Sequence, residues 1–193
     1  MNTRETQHHT ENKMIKLKDL LTEQKFEFGC AMIYYNFPEM FKIQDMIDPK
    51  DLYTEEGDRT FGFEDEPHTT LLFGLHEGVS NEDVQSVLDQ ITFGQCKIYN
   101  ASKFENPQYD VFKFDVAGPG LHTANAKLKQ FPHTTGFPNY HPHSTIAYLQ
   151  PGTADRYIQA LKGQEFNLVP THAVYSKPNG EQVQMNIKVE EHE

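Results

Sequence analysis

The chain has 193 residues, 37% of them hydrophobic, with fourteen Phe and nine Tyr, enough material for one sizeable buried core. A formal net charge of −11 excludes the basic face that long nucleic acids require, and leaves room only for a small anionic ligand held by local donors. No apolar run approaches the roughly 18 residues of a membrane helix, and Cys30 and Cys96 stand in apolar, strand-like contexts as free buried thiols.

Residues 1–24 are polar with a weak amphipathic stretch at Met14, Leu17 and Leu21, and read as a flexible arm ahead of one domain spanning 25–193. The opening "MNTRETQHHTENK" lacks the apolar middle of a secretory signal, so a cytoplasmic location is expected. "FEFGCAMIYYNF", Phe26–Phe37, is the first strand. From Pro38 to about Asp65 the composition, rich in acid and Gly, predicts a loop, with Glu55–Glu66 a solvated rim. "PHTTLLFGL" alternates as a strand, putting His68, Thr70 and Leu72 on one side.

Ser80 with Asp83 three residues on opens a helix whose stripe is Val84, Val87, Leu88 and Ile91. Strands follow at Gln95–Ala101 and Tyr109–Val116, then a break at Gly118-Pro119-Gly120 and a helix carrying Leu121, Ala124, Leu128 and Phe131. "HSTIAYL" is again strand-like. A third helix begins near Thr153, and the end reads as a hairpin of "FNLVPTHAVYS", the turn "KPNG" and "EQVQMNIKV" with Val183, Met185, Ile187 and Val189 alternating. Many strands in hairpin-like pairs and few helices give an α+β fold of two antiparallel sheets, each backed by helix.

The tetrapeptide "PHTT" occurs at Pro67–Thr70 and Pro132–Thr135, and "PHST" at Pro142–Thr145. Composition predicts about one His-x-Thr triplet by chance. Four exist, one of them (His8–Thr10) in the polar arm. On a strand, residues i and i+2 share a face about 6.6 Å apart, so a His and a Thr can touch one phosphate together. His68/Thr70 and His143/Thr145 each continue into an apolar strand. His133/Thr135 runs into the turn "GFPNY" and reads as a loop decoy. Two imidazoles facing one phosphodiester suit acid–base chemistry, with the two hydroxyls holding the non-bridging oxygens. That scheme requires no metal and no cofactor.

The paired segments resemble the signature of the two-histidine (2H) phosphoesterase superfamily. More narrowly, "GCAMIYYNFP", "DLY", "EDEPHTTLLFGLHEGV" and "FPNYHPHSTIAYL" resemble the phage anti-CBASS enzymes, which degrade cyclic oligonucleotide messengers of a bacterial antiviral defence. The resemblance implies a bilobal 2H-phosphoesterase-like fold, two antiparallel sheets with helices on their outer faces and a central cleft. It implies metal-independent cleavage of a 3′–5′ phosphodiester in a cyclic di- or trinucleotide such as 3′3′-cGAMP, through attack by the neighbouring 2′-hydroxyl, in the host cytoplasm if the chain is phage-encoded. His68 and His143 become the acid/base pair, Thr70 and Thr145 the phosphate holders. Ser144, where relatives often carry an apolar residue, points away from the cleft. The partner expected is the cyclic oligonucleotide alone, with no long nucleic acid, membrane or obligate protein.

Tyr34 on the first strand is the candidate for base stacking, with Tyr140 second and Tyr35 on the opposite face. Lys177 and Lys113 are candidate phosphate cations. His133, His141 and His143 could alternatively cluster on Zn²⁺, although no Cys partner accompanies them. The competing functions are opening of 2′,3′-cyclic phosphates on RNA ends, sequestration of a nucleotide without cleavage, and metal-dependent hydrolysis.

Overall fold

The computed structural model describes residues 26–190, and the arm expected over residues 1–24 lies outside them. Strand β1 (Gly29–Asn36) alternates as its sequence requires: Ala31, Ile33 and Tyr35 are buried, while Cys30, Met32 and Tyr34 form a half-buried opposite face. It pairs antiparallel with β2 (His68–Leu75) on one side and with β7 (Phe166–Ser176) on the other. The second half repeats the arrangement with β5 (Asp110–Ala117) between β6 (His143–Leu149) and β4 (Cys96–Glu105).

The long strand β7 joins the halves. Its first three residues pair with β4 and the remainder with β1, giving the order β2-β1-β7-β4-β5-β6, with β8 (Gln182–Met185) beside β7. The two antiparallel sheets expected from the sequence are thus two halves of one seven-stranded sheet. Helices α2 (Asn81–Leu88) and α3 (Leu121–Leu128) support the first half; α1 (Glu39–Asp45) and α4 (Ala154–Ala160) support the second. Helix α2 begins with the predicted capping box, Ser80 and Asp83 each accepting the other's backbone N–H. Ile33, Leu71, Phe93, Phe112, Phe114 and Tyr175 lie fully inside; burying each such side chain contributes about 1.5–3 kcal/mol.

Two sequence expectations need correction. The stretch Pro38–Asp65 is not all loop: it holds α1 and a 3₁₀ turn at Pro49–Asp51. Met40, Ile43 and Ile47 recur at helical spacing and are buried, a pattern that the surrounding acids mask. Asp51, also buried, accepts the Tyr157 hydroxyl at 2.5 Å and pairs with Arg156, which fastens this segment to α4. At the C-terminal end, the predicted strand breaks after Met185. Lys188–Val189 (β9) crosses to pair in parallel with Thr92–Phe93 (β3), although Val183, Met185, Ile187 and Val189 keep their alternation, each buried or half-buried between exposed neighbours. Among the described residues no helix is long and apolar enough to cross a membrane.

Strands β2 and β6, which carry the two motifs, are the outermost strands of the sheet. An edge strand has unpaired backbone groups that must find other partners. On β2 the Leu71 carbonyl accepts from buried Asn125 of α3 at 2.7 Å and the Thr70 carbonyl from the Tyr140 hydroxyl at 2.9 Å. On β6 the edge is covered by residues 62–64, where Glu64 N donates to Ile146 O at 3.0 Å and Tyr148 N to Gly62 O at 2.8 Å. The sheet curls so that these two edges approach one another, and Tyr140, just ahead of β6, spans the gap to β2.

Candidate active site

The Pro-His unit sets the ring geometry. His68 Nδ1 donates to the carbonyl of Glu66 at 2.8 Å, and His143 Nδ1 donates to the carbonyl of His141 at 2.9 Å. In both cases the acceptor is two residues upstream, across the proline. The proline carbonyl itself enters the ladder, Tyr35 N donating to Pro67 O at 3.0 Å and Val116 N to Pro142 O at 2.9 Å. A carbonyl can only accept, so Nδ1 carries the hydrogen and Nε2 is the atom left for chemistry on each ring. The third copy folds the same way: His133 Nδ1 donates to Phe131 O at 2.7 Å and His76 N to Pro132 O at 3.0 Å. It stands beside Leu75, however, seven residues along β2 from His68, or about 23 Å at 3.3 Å per residue. The repeat is a local structural device used three times, and two of the copies face each other.

Thr70 and Thr145 lie on the same strand faces as their histidines, half-buried like them, while Thr69 and Ser144 between them are fully buried on the core side. Ser144 therefore points away from the cleft, as expected. Behind Thr70, burial pushes the Cys30 thiol up to about 12, with the Thr70 side chain opposing, so this thiol stays protonated and inert.

The flanks of the two histidines differ. Across the first half, in register, stand His68 (β2), Tyr34 (β1) and His172 (β7). Their rings stand in a row, Tyr34 stacked on His172 at 5.1 Å and tilted by 30° against His68 at 5.2 Å. The Glu64 carboxylate lies 4.0 Å from His68 Nδ1. Glu64 is held there by Gln44, whose Nε2 donates to the carbonyls of Glu64 and Ile146. In the second half, Asp115 lies opposite His143 and Lys113 opposite Thr145. Lys113 Nζ, buried, is 2.6 Å from Asp115 and 4.7 Å from the centre of the Phe104 ring, which meets His143 edge-on at 5.0 Å. Burial holds the His143 imidazole below the usual histidine range. The charges of Lys113 and His68 push the same way, against the His141 carbonyl and Asp115. Strands β2 and β6, which carry the two motifs, are in direct contact across the curl.

No model of a protein family matches the chain, and no curated protein matches it significantly. Two solved structures share its architecture. Usb1 of Kluyveromyces marxianus superposes with a TM-score of 0.52 at 9% sequence identity, covering 82% of this chain and 97% of Usb1. The same protein with uridine monophosphate gives 0.51 at the same identity and coverage. The chain shares the α+β fold of Usb1, a curled antiparallel sheet backed by helices. The likeness is one of fold, and neither of these structures is of an anti-CBASS enzyme.

Within this fold the sequence-predicted residues divide. His68, Thr70, His143 and Thr145 come together across the curl. Tyr34 is in the cleft, but both faces of its ring are covered, so it packs His68 and offers a base only its edge. Tyr35 points into the core. Tyr140 is a half-buried brace: its hydroxyl is spent on Thr70 O and its ring meets His122 at 5.1 Å. Lys177 follows the far end of β7, where Ser176 pairs with Cys30, and its ammonium faces Glu181 at 3.4 Å, away from His68. Lys113 is in the cleft, as an ion pair. The zinc cluster does not assemble, because His133 stands at the other end of β2, and no group of three or more His, Cys, Asp or Glu suited to a metal occurs among the described residues.

Four cleft residues escaped sequence reasoning. Phe104 falls beyond the expected end of its strand at Ala101; a bulge at Asn100, with φ 53°, lets β4 continue to Glu105. His172 is identifiable only through its register with Tyr34. Asp115 shows its role only opposite His143. Glu64 is one of several acids in a stretch read as a solvated rim, and only its position beside β6 singles it out.

Proposed function

We propose that this protein is a phosphodiesterase that cleaves ribonucleotide phosphodiesters by paired-histidine acid–base catalysis. The observation that carries this reading is the matched pair of Nδ1-anchored imidazoles, each with a threonine on its own strand face, on edge strands that curl together. His143, kept neutral by its burial, accepts the proton of the attacking 2′-hydroxyl through Nε2. O2′ bonds to phosphorus, the P–O5′ bond breaks, and O5′ takes the proton from His68 Nε2. The role of acid falls to His68, whose neighbouring carboxylate, Glu64, lies 4.0 Å from the ring, whereas Asp115 opposite His143 is taken up by Lys113. Thr70 and Thr145 donate to the non-bridging oxygens as charge builds there. The products are a 2′,3′-cyclic phosphate and a 5′-hydroxyl. None of these steps is routed through a metal.

Two substrate classes fit. The fold shared with Usb1, one of whose structures contains uridine monophosphate, supports action at a ribonucleotide end. The charge of −11 and the sequence words shared with anti-CBASS enzymes favour a cyclic oligonucleotide, a second reading. Chromatography of products from 3′3′-cGAMP, a short oligoribonucleotide and the same oligomer ending in a 2′,3′-cyclic phosphate, all incubated in EDTA, separates them. Cleavage of at least one is expected. Full recovery of all three after long incubation with excess protein would leave a sequestering module, and activity abolished by EDTA would leave a metallohydrolase.

A further inference from the structure

The two halves of the cleft use their aromatic rings differently. Tyr34 is enclosed on both faces by His68 and His172. Phe104 is open: it is 45% exposed, although it sits on the strand next to β5 and its ring touches His143 at 5.0 Å. The Lys113 ammonium backs the ring at 4.7 Å, and Lys113 is itself buried and pinned by Asp115. An exposed Phe beside an acid–base histidine gains nothing from water. A nucleobase laid on such a ring gains stacking, strengthened when a cation sits behind the ring.

We propose, on the basis of the phosphodiesterase reading above, that Phe104 is the stacking platform for the base of the nucleoside that supplies the attacking 2′-hydroxyl. The position follows from the chemistry. Phe104 adjoins His143, the proton acceptor, so the nucleoside on that side is the attacking one. The nucleoside that carries a 2′,3′-cyclic phosphate is the same one that supplied the 2′-hydroxyl, so its base can use the same platform while water enters from the leaving-group side. The ring therefore marks the side of the reacting phosphate on which the O2′ nucleoside lies, at an oligonucleotide end or within a small cyclic oligonucleotide.

The test combines protein and substrate changes. Wild type, Phe104→Leu and Phe104→Trp are assayed on a diribonucleotide and on two analogues, one lacking the base of the 5′ nucleoside and one lacking the base of the 3′ nucleoside. Removing the 5′-nucleoside base should lower wild-type kcat/KM roughly tenfold, the scale of one lost base stack. Phe104→Leu should show that same loss on the intact dinucleotide and on the analogue lacking the 3′ base, yet almost no loss where the 5′ base is already missing; Phe104→Trp should restore it. An equal effect of Phe104→Leu on all three substrates would overturn the platform, since the ring would then act only by shaping His143. In parallel, 2-aminopurine at the 5′ position should be quenched on binding to wild type and not to Phe104→Leu. If wild type cleaves none of the three, the phosphodiesterase reading falls, and quenching alone then decides whether Phe104 holds a base.

Discussion

Tyr140→Phe separates two roles for one residue. As a base-stacking aromatic, Tyr140 would tolerate the change, because phenylalanine stacks as well. The structure instead gives its hydroxyl one task, donating to the Thr70 carbonyl at 2.9 Å and so joining the approach to β6 with edge strand β2. Losing a half-buried hydrogen bond of this kind costs about 1 kcal/mol, towards 2 if the carbonyl is left without a partner. For a domain of this size that corresponds to a fall in Tm of roughly 2–4 °C. The functional effect should be larger relative to its energy, because Thr70 is the proposed phosphate holder and the bond ties its strand to the approach to β6. Misplacing reacting groups by even about 1 Å can cost up to 10²-fold. The expected outcome is a kcat lowered about tenfold with little change in KM, read by steady-state kinetics beside a thermal melt. Unchanged Tm and kcat would refute the brace, and a change confined to KM would return Tyr140 to substrate binding.

Other consequences follow from the charges and backbone. Because burial and Lys113 both hold His143 low, the acid limb of kcat/KM should lie below the ordinary histidine value of 6.5. Lys113→Met should move that limb to higher pH and Asp115→Asn to lower pH; shifts in the same direction would contradict the assignment. The same depression makes His143 a source of acid sensitivity. The unfolded chain binds the proton more readily, so stability falls as pH drops from the ordinary histidine range towards the folded-state value, and His143→Gln should flatten a Tm-against-pH plot there. Gly74 has φ 110° and a Cβ there would lie 1.8 Å from Thr134 O, so Gly74→Ala should destabilise by at least about 2 kcal/mol, read by chemical denaturation; a neutral result would mean that the Pro132–Thr135 loop is not seated on β2.

The proposed catalytic quartet stands out because a His-x-Thr followed by an apolar strand has a shape that composition cannot imitate: His68 and His143 lead into buried Leu71 and Ile146, and His133 leads into Gly136. The fold class followed from period-two alternation, most clearly in β1 and β5. What stayed hidden depends on register and curvature. That β2 and β6 end as the two edges of one sheet rests on how β7 divides its pairing between β1 and β4, and nothing in "FNLVPTHAVYS" announces that division. Tyr34 was misread as open, because the rings flanking it come from His68, 34 residues downstream, and from His172, far along the chain. Glu64 and α1 were lost for a shared reason: a high density of acids hides both a single placed carboxylate and a short apolar helical stripe.

The most direct measurement is the cleavage rate of a ribonucleotide phosphodiester in EDTA by wild type, His68→Ala, His143→Ala and the double variant. Each single variant should lose about 10²–10⁴-fold in kcat, and the double variant little more than the worse single, as expected of two groups acting in one proton-transfer step. A double variant that keeps wild-type activity, or a wild type silent in EDTA and active with added metal, would contradict the convergence of the two imidazoles on a shared phosphate.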